Sequence, residues 1–156
     1  MDDNSNRRMI NVFFYGLYMD PDLLGDRGVQ PRDPRRASVA DYSLRIGTQA
    51  TLLRCTGAHA WGVVYALTHD EVDVLYGALP TYRAEPVLAR TVNGQFVPAL
   101  CYILFDPPQP GEANPDYAAA LTAAAQRLGL PIDHIPRRSE PLASTQGMSS
   151  DREQSR

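Results

Sequence analysis

Phe13-Phe14-Tyr15-Gly16-Leu17-Tyr18-Met19 is an apolar run of strand length that stops at a glycine and opens onto a loop. Glycine lets the backbone turn sharply and approach a ligand closely. N–H groups exposed after such a turn, near a helix start, can hold an anion or a developing oxyanion. A helix start follows at once. Asp20 suits an N-cap, Pro21 the first helical position, and the short helix through Leu23 and Leu24 should end near Gly25 or Gly28. A second stretch complements the first. Leu75-Tyr76-Gly77 through Tyr82-Arg83-Ala84-Glu85-Pro86-Val87 reads as a helix end, a short turn and a strand carrying a lone carboxylate.

The segments between and beyond these two are rich in strands. Gln30 to Arg36 is charged and holds two prolines, which predicts a surface loop. Ser38 to Thr48 alternates, with Ala40, Tyr42, Leu44 and Ile46 expected to face inward. Ala60-Trp61-Gly62-Val63-Val64-Tyr65-Ala66-Leu67 has the pattern of a buried strand. Thr68-His69-Asp70-Glu71 is a capping box opening a helix with Val72, Leu75 and Tyr76. Glu85 to Val92 and Val97 to Phe105 are strands joined at the hairpin signal Asn93-Gly94. After the linker from Asp106 to Gly111, Asn114-Pro115 caps the clearest helix, which ends at Leu128-Gly129. Its Tyr117, Leu121, Ala124 and Leu128 should pack on the sheet. The expectation is an α+β fold, a small curved or closed mixed β-barrel with short flanking helices and a C-terminal helix, over residues 9–136. Polar composition predicts disordered tails at 1–8 and 137–156.

Composition narrows the function. All fifteen basic residues are arginine, the net charge is −3, and arginines alternate with aspartates, which argues against nucleic acid as a partner. No stretch approaches the length of a membrane span, and the N-terminus lacks a secretory pattern, so the expected location is the cytoplasm, with no membrane partner. Cys55 and Cys101 sit in apolar runs and are expected to be buried. His59, His69 and His134 form no ligand pair and are expected to be surface or capping residues; neither metal nor cofactor is called for.

The two opening stretches, with the Trp61–Leu67 strand, Cys101-Tyr102-Ile103-Leu104 and Leu128-Gly129-Leu130-Pro131, resemble in order and spacing the γ-glutamyl cyclotransferase-like superfamily. The likeness, to a divergent bacterial branch, spans about residues 10–135. It implies a barrel whose Gly16 loop grips a γ-glutamyl group, and an activity that cyclises a γ-glutamyl amide to 5-oxoproline with release of an amine or amino acid. The implied contacts to this small molecule are Tyr15, Gly16, Leu17, Tyr18, Met19, Tyr76, Tyr82 and Tyr102, in a monomer or homodimer. The chain departs from the family pattern in two places. Leu17 replaces a hydroxyl residue. In Val72-Asp73-Val74-Leu75-Tyr76-Gly77, Tyr76 occupies the position of the family's catalytic glutamate. A phenol with a pKa near about 10 is a poor base at neutral pH. Glu85 is the nearest alternative carboxylate and the candidate proton shuttle, unless it is held by Arg83. The alternative is a catalytically inactive relative that binds a metabolite or protein partner through the same pocket.

Overall fold

A computed structural model describes residues 8–109 and 111–136. Apart from Arg8, both expected tails lie outside the described residues. Five strands close into a barrel in the order β1-β3-β2-β4-β5. They are β1 (Met9–Phe14), β2 (Arg32–Ile46), β3 (Ala50–Thr68), β4 (Tyr82–Thr91) and β5 (Phe96–Leu104). Four neighbouring pairs are antiparallel, and the parallel contact of β1 with β5, Val12 opposite Leu100, closes the ring. The helices are α1 (Pro21–Asp26), α2 (His69–Tyr76) and α3 (Pro115–Arg127), with a 3-10 turn at Leu17–Met19. This is the mixed barrel expected from the sequence, with its C-terminal helix.

The chain ends of these elements follow their residues. The Asp20 side chain accepts from the Asp22 N–H, and Pro21 opens α1. Thr68 and Glu71 form the reciprocal capping box of α2. Arg32 adds an ion pair to Glu71 at 2.8 Å. Burial pushes the Glu71 carboxyl up, but the guanidinium and the N–H groups of Gln30 and Thr68 outweigh it and bring the pKa to about 2. At the end of α3, Gly129 takes φ +75°, and its N–H and that of Leu130 donate to Gln126 and Ala125. These are the two bonds of a Schellman motif.

Three consecutive residues of β1, Val12, Phe13 and Phe14, are buried. Because strand side chains alternate, the strand is covered on both faces. Gly62 of β3 makes the contact possible: a Cβ there would lie 2.1 Å from the Phe14 carbonyl oxygen. Leu121 on α3 is fully buried, worth about 1.5–3 kcal/mol. Tyr117 and Leu128, expected on the same face, are only half-buried.

Three expectations are corrected. The Gln30–Arg36 loop is largely strand. β2 begins at Arg32 and pairs with β3, with an irregularity between Arg32 and Arg35 that holds Pro34, and Asp33 at φ +55°. A bulge is where a proline, which has no N–H to donate, can enter a ladder without leaving a partner carbonyl unpaired. The alternation of β2 also changes phase. Tyr42, Leu44 and Ile46 are buried as expected, but Ala40 is exposed and Val39 buried. Asp41, at φ +66°, sits in a second irregularity and accepts from the Gly57 N–H at 2.9 Å. The same irregularity carries Cys55 outward to solvent, whereas Cys101 is buried. Of the histidines, His59 and His69 are exposed and His134 is half-buried, where burial lowers its pKa.

Candidate functional site

The strand β1 ends at Phe14, and Tyr15 and Gly16 lead into the 3-10 turn. Met19 N–H donates to the Gly16 carbonyl at 2.9 Å. Helix α3 then lies across this turn. The Asn114 side chain caps the helix through the Tyr117 N–H and donates to the Gly47 carbonyl. Arg127, one helix length later, pairs with Asp20 at 2.8 Å. Between these anchors the Tyr117 hydroxyl accepts from the Leu17 N–H at 3.1 Å. A Cβ on Gly16 would stand 2.5 Å from that hydroxyl, so glycine is what admits the ring.

The turn, α2 and the start of β4 enclose a cavity of about 430 Å³. Its walls are rich in aromatic rings, with Tyr15, Tyr18, Tyr76, Tyr82 and Tyr117 from four parts of the chain, and Phe14 beside them. Behind the wall, Tyr76 stacks on Tyr102 at 4.1 Å and meets Tyr82 edge-on at 5.7 Å. Asp26, Arg27 and Gln49, all exposed, stand at the rim. Arg27 donates to the Tyr18 hydroxyl and to the Val74 carbonyl, tying α1 to α2.

Four of these phenols, Tyr15, Tyr76, Tyr82 and Tyr117, are held neutral. Burial first, then Cys101 and the neighbouring rings, push Tyr15 and Tyr76 well above their usual pKa of 10. Burial, then Tyr117 and Tyr18, push Tyr82 up to about 12. Burial also raises Tyr117, against the opposing pull of the Leu17 N–H. The phenols of the cavity therefore supply no base at neutral pH, and Asp26, at the exposed rim, is the carboxylate among the lining residues.

Six of the sequence-derived residues line this cavity: Tyr15, Gly16, Leu17, Tyr18, Tyr76 and Tyr82. Met19 is fully buried beneath it, its carbonyl accepting from Tyr65, and Tyr102 supports Tyr76 from behind. Glu85 is not among the lining residues. Its carboxylate accepts from the Tyr42 hydroxyl at 2.5 Å and from Arg83 at 2.7 Å, with Arg54 at 3.9 Å. Those bonds, Tyr42 first and Arg83 next, lower its pKa. The reason is register. Glu85 stands opposite Cys101, and Ala84 opposite Tyr102, so Glu85 and the Tyr76–Tyr102 stack point to opposite faces of the β4–β5 ribbon.

Sequence reasoning missed Tyr117, Asp26, Arg27 and Gln49 as cavity residues. Tyr117 lies 100 residues from its partner Leu17, and its helical spacing with Leu121 made it look like core. Arg27 follows the helix that Asp20 caps and carried no motif. Among the described residues, no three His, Cys, Asp or Glu side chains group in a way that would hold a metal ion.

No protein-family model matches the sequence, and no curated protein matches it. Solved structures do. A γ-glutamyl cyclotransferase superposes with a TM-score of 0.69 at 19% identity, over 83% of this chain and 89% of that one. An uncharacterized protein of Homo sapiens superposes with a TM-score of 0.68 at 19% identity, over 82% and 88%. An AIG2-like protein of Mus musculus gives 0.56 at 15% identity, over 85% and 88%. No helix of the described residues is long and apolar enough to cross a membrane. By strand order, closure and superposition, the chain has the γ-glutamyl cyclotransferase-like fold.

Proposed function

We propose that this chain binds a small molecule in the tyrosine-lined cavity without cyclising it. One observation carries the reading: the inner walls of the cavity present phenols, Tyr76 among them, the lining carboxylate Asp26 stands at the exposed rim, and the candidate carboxylate Glu85 is engaged elsewhere by Tyr42 and Arg83. Ring closure of a γ-glutamyl amide needs a base that takes a proton from the α-amine and returns it to the leaving amine. A phenol whose pKa is raised by burial does neither at neutral pH. A free small molecule in the cytoplasm, and neither nucleic acid nor membrane, is the partner that the mixed-sign charge pattern and the concave, tyrosine-lined cavity favour.

A second reading has its own support. The Gly16 turn forms one wall of the cavity, and a γ-glutamyl cyclotransferase shares the fold. If the chain cyclises γ-glutamyl amides, Glu85 is the shuttle and must leave its present partners during turnover. A panel of γ-glutamyl amides followed by mass spectrometry separates the two readings. The binding reading expects no 5-oxoproline above the protein-free blank. Sustained release, lowered by about 10²-fold in Glu85→Gln, would replace it with the catalytic one.

A further inference from the structure

The hydroxyl groups of the cavity divide into two sets. Tyr15 donates to the Tyr102 carbonyl at 2.6 Å, and Tyr82 to the Ala50 carbonyl at 3.1 Å. Their protons are committed to backbone oxygens. The oxygens of Tyr117 and Tyr18 instead accept, from the Leu17 N–H and from Arg27. Their own protons have no acceptor among the described residues, and neither has that of Tyr76. Three O–H donors thus line one half-buried cavity without a protein acceptor, and one of them is polarised by a guanidinium.

A donor set of this kind selects a ligand by what it lacks. An ammonium carries only donors: the Tyr15 and Tyr82 oxygens could accept from it, but it would leave the three unpartnered phenolic protons without an acceptor, and Asp26, the carboxylate among the lining residues, is at the exposed rim. A carboxylate carries only acceptors and can take all three protons. The remaining walls, Phe14, Leu23 and Leu79 with the Tyr76–Tyr82 pair, favour a flat apolar body. We propose that the cavity binds a small arylcarboxylate, held by the Tyr18, Tyr76 and Tyr117 hydroxyls, and discriminates against amines of the same shape. Burial raises the pKa of Tyr76 and Tyr117, so these two donors persist across the neutral range. This proposal rests on the binding reading above.

The test titrates the full chain with phenylacetate and with phenethylammonium, two probes sharing a ring, by NMR shift perturbation and calorimetry. Phenylacetate is expected to bind, and phenethylammonium at least about 10-fold more weakly. Tyr76→Phe and Tyr117→Phe, each checked for an unchanged thermal melt, should each weaken phenylacetate by about 10-fold. Failure of phenylacetate to bind at about 10 mM overturns the proposal. So does equal or tighter binding of the amine, or an unchanged affinity in both variants. If the amine alone binds, the ligand class is wrong and the binding reading stands. If neither probe binds and 5-oxoproline forms from a γ-glutamyl amide, both fall.

Discussion

The tyrosine cavity and the Glu85 network lie on neighbouring strands and have opposite electrostatic characters. In the cavity, burial raises the pKa of Tyr15, Tyr76, Tyr82 and Tyr117 and keeps these four phenols neutral. Around Glu85, a phenol and two guanidiniums keep a carboxylate ionised although its side chain is only 15% exposed. The same residue type serves both. Tyr42 donates to a carboxylate and completes a charged network, whereas Tyr76 packs against the Tyr82 and Tyr102 rings and its proton has no acceptor among the described residues. What separates the regions is the two faces of one β-ribbon. A carboxylate three residues from a cavity tyrosine can be chemically remote from it, because strand neighbours an odd number apart point to opposite sides.

The largest expected effect follows from the phenols. A phenol whose folded pKa is raised contributes stability that is complete below its unfolded pKa of about 10 and is lost as pH rises through the folded value. Each such group removes about 1.4 kcal/mol per pH unit in that window. Tyr15, Tyr76 and Tyr82, the last at about 12, act together. Thermal melts should therefore fall steeply between pH 10 and 12, and Tyr76→Phe should flatten the fall. An unchanged slope in that variant would show that Tyr76 is not held neutral by the cavity.

Gly62→Ala tests the seam on which both regions lean. The new Cβ would meet backbone at the Phe14 carbonyl, which no rotamer change relieves. The expected loss is about 3 kcal/mol or more, read as a fall in denaturant midpoint. A loss under about 1 kcal/mol would mean that β1 and β3 slide apart more easily than their packing suggests.

The Glu85 network should be worth less and should be local. Removing the Tyr42 hydroxyl or neutralising Glu85 is expected to cost about 1–2 kcal/mol, with the two changes coupled in a double-mutant cycle. Because the Glu85 pKa is lowered, this stability is present above the ordinary carboxylate value and is lost as pH falls below it. Glu85→Gln should leave phenylacetate affinity within about 2-fold of native. A 10-fold change would join the two regions into one site.

The smallest effect is expected at Gly16→Ala. Here the Cβ meets the far end of a flexible side chain, so Tyr117 can swing away at the expense of its bond to Leu17. About 1 kcal/mol of stability should go, and ligand affinity should fall more than stability does. Equal losses in both would make Tyr117 a packing residue only.

The sequence alone determined the features that depend on near neighbours. The capping box at Thr68–Glu71, the stop at Gly129, the hairpin around Asn93-Gly94 and the strand ending just before Gly16 all rest on groups a few residues apart, so residue type is enough. The order of these elements also indicated the mixed barrel. Two local irregularities escaped notice: the phase of β2 before Asp41, and the strand through Pro34. A positive φ at an aspartate and a bulge opposite it depend on the partner strand. At the cavity, the tyrosines of the Gly16 loop, α2 and β4 were legible as motif residues. Tyr117 was not, because a helical apolar spacing is the same whether a ring packs on a sheet or turns into a cavity. The face that Glu85 presents could be counted from Tyr82. What that face meets could not, since Tyr42, Arg83 and Arg54 come together only when β2, β3 and β4 are in register around a closed barrel.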